Sequence, residues 1–313
     1  MAPTPSEQLR SKLWERYALR DNVPRDGLVI DGRPALTGLD PSLVGDYVIM
    51  TVRDPLCGYD EDPAALIGKR LDTPRIAGRT GMFSLWSGTF DGAPITVVSG
   101  GSGAPEAELV MHELLQFTNA TTFLRIGGSG GMHPDVAPGD VVIARGVIRD
   151  DGMTAAYVPP SWPAAASPDL VLALVSVAEQ LGVRYHVGLT RSTDSDFVGG
   201  GRPGVGGYLQ PWHLDVVESW ARTGVLNGDR ESSAVVTLAT LFGRRGGSVC
   251  SVADNVATGA AFKAGAGHDA AVEVGLHGIA LLHRMDEARR TAGARHWHPL
   301  LGISEELNHE DRS

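Results

Sequence analysis

Thr121-Thr122-Phe123-Leu124-Arg125-Ile126-Gly127-Gly128-Ser129-Gly130-Gly131 is the stretch on which the fold turns. Residues 121–126 form a short, mostly apolar run of the kind that makes a buried strand. The glycines that follow place a flexible backbone at the strand's carboxyl end, where open α/β sheets bind ligands. Arg125 interrupts the run. A guanidinium inside a buried strand is costly unless paired, so it needs either a ligand anion or a structural carboxylate.

The same pattern recurs on both sides. Upstream, Tyr47 to Val52 reads as a buried strand, and Met82 to Phe90 turns at Asp91-Gly92 into Ile95 to Val98 as a hairpin. Ser99-Gly100-Gly101-Ser102-Gly103 then leads into a helix opened by Pro105 and Glu106 and striped by Leu109, Val110, Leu114 and Phe117. Such a turn presents backbone N–H groups to an anion, or is simply a tight turn. It matches neither a P-loop nor a dinucleotide fingerprint. Downstream, strands over 140–148, 185–190 and 248–253 alternate with helices over 168–181, 211–222, 231–242 and 269–284. Ser167 and Gly182 flank the first of these helices as caps. Alternation of this kind predicts an α/β domain with a mostly parallel or mixed sheet. Residues 1–45 read as an N-terminal arm, 46–285 as one domain, and 286–313 as a polar tail.

Composition narrows the function. Among 313 residues, 27 Lys and Arg face 37 Asp and Glu, a net charge of −10, which argues against a nucleic-acid binder. Hydrophobic residues make up 42%, enough for a core. Two cysteines form no disulfide framework, and the histidines show no metal spacing. The N-terminus has no signal-type apolar block, and the run Leu170 to Ala178 is about half the length of a membrane span. A cytoplasmic protein without membrane or metal partners is expected. Two further acidic positions stand out. Glu231 is either a helix-start acid or an acceptor for sugar hydroxyls, and Asp254 ends a strand as a general acid or a cap. From the residues alone, the chain is an α/β protein whose glycine-rich strand ends bind a polar small molecule.

Several segments together resemble the nucleoside phosphorylase superfamily, and uridine phosphorylases above all. They are Val97 to Pro105, Thr122 to Gly130, Pro138-Gly139-Asp140-Val141-Val142-Ile143, Tyr185 to Thr190, Gly201-Arg202-Pro203-Gly204 and Asn227 to Ser232. The resemblance implies a single α/β domain around a central mixed, partly barrel-like sheet flanked by helices. It implies homo-oligomers, dimers or trimers of dimers, and no cofactor beyond inorganic phosphate as a co-substrate. It also implies reversible phosphorolysis of a nucleoside, in which phosphate attacks C1′ and the base leaves.

Carried over by position, Arg125 corresponds to the arginine that holds phosphate. The threonine beside it is replaced by Gly128, with Ser129 adjacent. The first phosphate loop reads Arg53-Asp54-Pro55-Leu56-Cys57, so its arginine has become Cys57, with Arg79 or Arg53 as substitutes. In the base pocket Arg202 matches an arginine, Gly200 stands for a glutamine, and Asp196 with Phe197 stands where a phenylalanine stacks. The sugar-binding Glu-Met-Glu is Asp229-Arg230-Glu231 here, so Arg230 and Glu231 fall under the sugar. Val252-Ala253-Asp254-Asn255 is similar to the motif whose aspartate protonates purines in purine phosphorylases and nucleosidases.

Three readings follow. One is a divergent enzyme that cleaves or forms a nucleoside C1′–N bond, by phosphorolysis or, with the phosphate site degraded, by hydrolysis with Asp54 as the base for water. Another is changed chemistry on a carboxylated small molecule in secondary metabolism. The third is a catalytically silent nucleoside-binding subunit.

Overall fold

The computed structural model describes residues 5–25, 27–53 and 60–302. Ahead of the main sheet lie helix α1 (Pro5–Arg16) and a small antiparallel pair, β1 (Val29–Ile30) with β2 (Arg33–Pro34). Within this expected arm, residues 36 and 37 are tied down by Glu113. Its buried carboxylate accepts from the backbone N–H groups of Leu36 and Thr37 and from the Thr37 hydroxyl at 2.6 Å.

The body of the molecule then alternates β3 (Tyr47–Val52), α2 (Pro63–Gly68), β4 (Asp72–Arg79), β5 (Ser84–Phe90), β6 (Ala93–Gly100), α3 (Ala104–Phe117) and β7 (Thr122–Gly131). There follow β8 (Val141–Asp150), α4 (Gly152–Tyr157), β9 (Ala164–Ala165), α5 (Pro168–Leu181), β10 (Tyr185–Thr193), α6 (Pro211–Leu214) and α7 (Val216–Arg222). The chain continues through β11 (Val225–Asp229), α8 (Ser232–Leu241), β12 (Arg245–Asn255) and α9 (His268–Thr291).

The strands form one mixed sheet in the order β11-β10-β8-β12-β7-β3-β6-β5-β4, with β9 on β8. Strand β11 also returns to β7, pairing Asn227 with Gly131 and Gly228 with Gly130. Strands β7, β12, β8, β10 and β11 therefore close into a five-stranded barrel, and β3, β6, β5 and β4 extend from it as an open wing. A register shift between Val252 and Asp254 bends β12 at the barrel rim. The expected partly barrel-like sheet is present.

Strand β7 is central because it is parallel to both β3 and β12 and buried on both faces, hence its apolar run. Leu124 and Ile126 face a core shared with α2, α5 and α9, while Phe123 faces one shared with α3 and α8. Helix α5 ends as expected, with Gly182 in the left-handed region at φ 65°. The expected helix over 211–222 is two short helices broken at Asp215. Strand β4 lies at the wing's edge and carries Pro74 and a largely exposed face, so it lacks the apolar pattern that reveals a strand. Helix α9 runs beyond the expected Arg284 to Thr291. Among the described residues no helix is long and apolar enough to cross a membrane.

Candidate active site

The carboxyl ends of β7 and β12, the end of β11 and the turn before α3 converge on one cluster. Along β7, side chains alternate faces, so Arg125 and Gly127 share one face. The guanidinium folds across Gly127 so closely that a Cβ there would overlap Nη1. Only glycine leaves room for it.

Arg125 is 2% exposed. Its Nε and Nη2 donate to Glu231 Oε2 at 3.1 and 2.6 Å, and Nε lies 3.8 Å from Asp229 Oδ2. Its Nη1 is buried and has no hydrogen-bond partner. Burial works against the charge, but Glu231 foremost and Asp229 outweigh it and raise the pKa, so the guanidinium stays a fixed cation. An orphaned N–H on a buried cation, at the glycine-rich end of a strand, fits an anion oxygen.

Glu231 precedes α8 and reaches back to the Ser99–Gly103 turn. Its Oε1 accepts from Gly103 N at 2.6 Å and Ser102 Oγ at 3.2 Å. The turn is thus an anion-binding turn, and the anion it holds is the chain's own carboxylate. With Arg125 taking two more bonds, the lone pairs of Glu231 are all engaged. Asp229 is buried as well. Oδ1 accepts from Ser192, and Oδ2 accepts from the backbone and hydroxyl of Ser232. Burial pushes this carboxyl up, against the pull of Arg125.

A polar rim continues outward from the cluster. Arg230 Nη1 lies 3.5 Å from Ser102 Oγ and donates to Asp196 Oδ2 at 3.2 Å. The backbone carbonyl of Asp196 accepts from Arg202 Nη1, and Arg202 Nη2 pairs with Asp254 Oδ2. Asp254 Oδ1 lies against Gly130, where a Cβ would come within 2.8 Å. Arg125, Glu231, Arg230, Asp196, Arg202 and Asp254, read separately from sequence, are therefore one connected chain of charges.

The other expected positions fall differently. Ser129 donates its hydroxyl proton to the Ser251 carbonyl and accepts from Asn227 Nδ2, so that proton is committed within the barrel. Gly128 lines a small space of about 20 Å³ with Thr51, Ser251 and Phe262. Gly200 sits against Arg202 Nη1, and Phe197 is 64% exposed on the outer side of the same loop. Arg53 is bound to Asp62 and to the Met82 carbonyl, and Arg79 is exposed on β4. Asp54 and Cys57 lie outside the described residues. Among the described residues no group of His, Cys, Asp and Glu could hold a metal ion.

Residues 56–278 match the family described as the phosphorylase superfamily. The chain belongs to this superfamily. It is 38% identical to the uridine phosphorylase of Thermococcus kodakarensis over 213 residues, which cover 68% of this chain and 76% of that protein. It is 32% identical to the Escherichia coli uridine phosphorylase over 197 residues, 63% of this chain and 78% of the relative. A DeoD-type purine nucleoside phosphorylase of Roseobacter denitrificans shares 32% identity over 180 residues, 57% of this chain and 71% of the relative.

In this superfamily member, the supporting residues that sequence reading missed are small and polar. Ser192, Ser232 and Asn227 carry no signal of their own in the sequence. The pairing of β10 with β11 sets Ser192 beside Asp229, and the barrel's closure brings Asn227 to Ser129.

Proposed function

We propose that the protein cleaves the C1′–N bond of nucleosides with inorganic phosphate as the attacking group. The observation that carries this reading is Arg125 Nη1, a buried N–H on a fixed cation with no partner. A phosphate oxygen accepts that N–H, is oriented by it and forms the bond to C1′. The C1′–N bond breaks, its electron pair leaves with the base, the base takes up a proton from water, and the products are a free base and a pentose 1-phosphate.

Glu231 orients Arg125, and a ribose hydroxyl takes the place of Ser102 Oγ on Oε1. Arg202 and Asp254 present a donor and an acceptor side by side to the base, with Asp196 holding Arg202 in place and Phe197 and Gly200 on the same loop. Arg230 lies beneath the sugar. No cofactor other than phosphate is required. The same reading makes the protein a cytoplasmic homo-oligomer, a dimer or trimer of dimers.

A second reading, hydrolysis, is favoured by one observation. Arg53 is spent on Asp62 and Ser129 on Ser251, so Arg125 faces the glycine-rich end without these helpers. Release of free base from purine and pyrimidine nucleosides, with and without phosphate, separates the two. Release that requires phosphate and yields pentose 1-phosphate is the expected result. Release independent of phosphate establishes hydrolysis, and no release under either condition overturns both.

A further inference from the structure

A second cleft opens at the opposite end of the sheet, where the parallel strands begin. It has a volume of about 690 Å³ and is lined from the starts of β3, α5 and β12 and the end of α9. That volume lies within the range of small-molecule sites. The distance from Thr121 at this end of β7 to Gly130 at the other is about 30 Å at 3.3 Å per residue. The cleft is therefore separate from the Arg125 cluster.

In a chain of net charge −10, this cleft gathers Arg244, Arg245, Arg289, Arg290 and Arg295 against Asp46, Asp169 and Asp286. Arg245 is committed. It donates to Asp286 and Asp169 at 2.5 to 3.0 Å, and those two carboxylates are thereby used. Arg289 lies 3.8 Å from Asp286. The guanidinium groups of Arg244, Arg290 and Arg295 have no hydrogen-bond or ion-pair partner among the described residues. The last carbonyls of α9 attract Arg289 and Arg290, but that attraction accounts for neither Arg244 nor Arg295. Trp297, partly buried against the main core, supplies an aromatic wall, and the exposed carboxylate of Asp46 offers an acceptor for hydroxyl groups.

The geometry points to a nucleotide site in this cleft, in which the free arginines take the phosphate and Trp297 takes the base. Three free guanidinium groups match a phosphate dianion, since arginine binds phosphate through paired N–H groups. The nearby indole distinguishes a nucleotide from a bare sugar phosphate.

Isothermal titration of the full-length protein with UMP, AMP, ribose 5-phosphate and inorganic phosphate tests the assignment. The comparison is between the wild type, the double variant Arg290→Glu/Arg295→Glu, and Trp297→Ala. Both arginines are exposed and have no partner among the described residues, so the double variant keeps its fold and its base-release activity, whatever that activity proves to be. Nucleotide binding at least about tenfold weaker in the double variant is the expected result. Trp297→Ala is expected to weaken the nucleotides and leave ribose 5-phosphate unchanged. Nucleotide binding of equal strength in the wild type and the double variant overturns the site, as does no nucleotide binding to the wild type. Nucleotides that bind no tighter than ribose 5-phosphate overturn the role of Trp297.

Discussion

Gly127 shows how much one residue decides. Arg125 and Gly127 share a face of β7, and the guanidinium occupies the space that any larger residue at 127 would fill. In Gly127→Ala the Arg125 side chain must leave that position, so its two bonds to Glu231 break and Nη1 no longer points where it does. Charge-assisted bonds of this kind contribute about 1.5–3 kcal/mol each. A fall in kcat/KM for base release of roughly tenfold to a hundredfold is expected. Displacing a fully buried charge from its partner also costs about 3–5 kcal/mol of stability. Urea denaturation of the variant measures the second effect independently of the first. Unchanged kcat/KM together with unchanged stability would show that Arg125 can sit elsewhere at no cost. That Arg125 needs a charged partner was legible in the sequence, because a lone arginine in an apolar strand demands one; that its guanidinium lies across Gly127 was not. That the partner is Glu231, and that the Ser99–Gly103 turn holds this same carboxylate, was not legible, since the three come from distant parts of the chain.

Between elements, close approach is set by glycine in a similar way. A Cβ at Gly246, at the start of β12, would come within 2.9 Å of Val236 Cα on α8 and 3.1 Å of Ala239 Cβ. The contact is with helix backbone, which cannot rotate aside. Gly246→Val therefore separates α8 from β12 at the end far from the Arg125 cluster, with an overpacking cost of about 1–3 kcal/mol. The expected melting temperature is lower by roughly 2–12 °C, at about 2–4 °C per kcal/mol for a domain of this size. A melting temperature equal to the wild type's would mean that the α8–β12 spacing is not fixed by this glycine. Elements with strong local patterns, such as β3, β7, the β5–β6 hairpin and α5, were readable from sequence. Strand β4 was hidden because an exposed edge strand carrying Pro74 has no apolar alternation. Closure of the barrel through β11 and β7 was hidden for another reason. It depends on two pairs of residues nearly 100 positions apart in sequence, Asn227 with Gly131 and Gly228 with Gly130.

At the scale of the whole molecule, the two ends of the sheet use charge differently. One end keeps a buried cation with a free N–H. The other ties four elements together through Asp286, which accepts from Tyr47 Oη on β3 at 2.8 Å and from Arg245 on β12, while Arg245 also reaches Asp169 on α5. The arginines of that second end were not legible as a group, because α9 carries Arg289 and Arg290 past the point where the sequence pattern ends the helix. The Asp286 knot also makes the fold sensitive to acid. Burial opposes the charge of Asp286, yet the bonds from Arg245 and Tyr47 outweigh it and hold the carboxyl below its usual value of 3.8. Between the folded and unfolded pKa values the unfolded chain binds the extra proton. The contribution of Asp286 is therefore fully present above about pH 4 and is lost as the pH falls through the lowered folded value. In Asp286→Asn, Arg245 keeps Asp169 and the Thr122 hydroxyl but loses its carboxylate on α9, and a loss of about 1.5–3 kcal/mol at pH 7 is expected. Below about pH 4 the difference in melting temperature between wild type and variant should shrink, since the wild type there loses what the variant already lacks. Melting curves of both proteins from pH 7 to pH 3 measure this. A difference that stays constant across that range would mean that the knot acts through packing alone, with no contribution from the charge of Asp286.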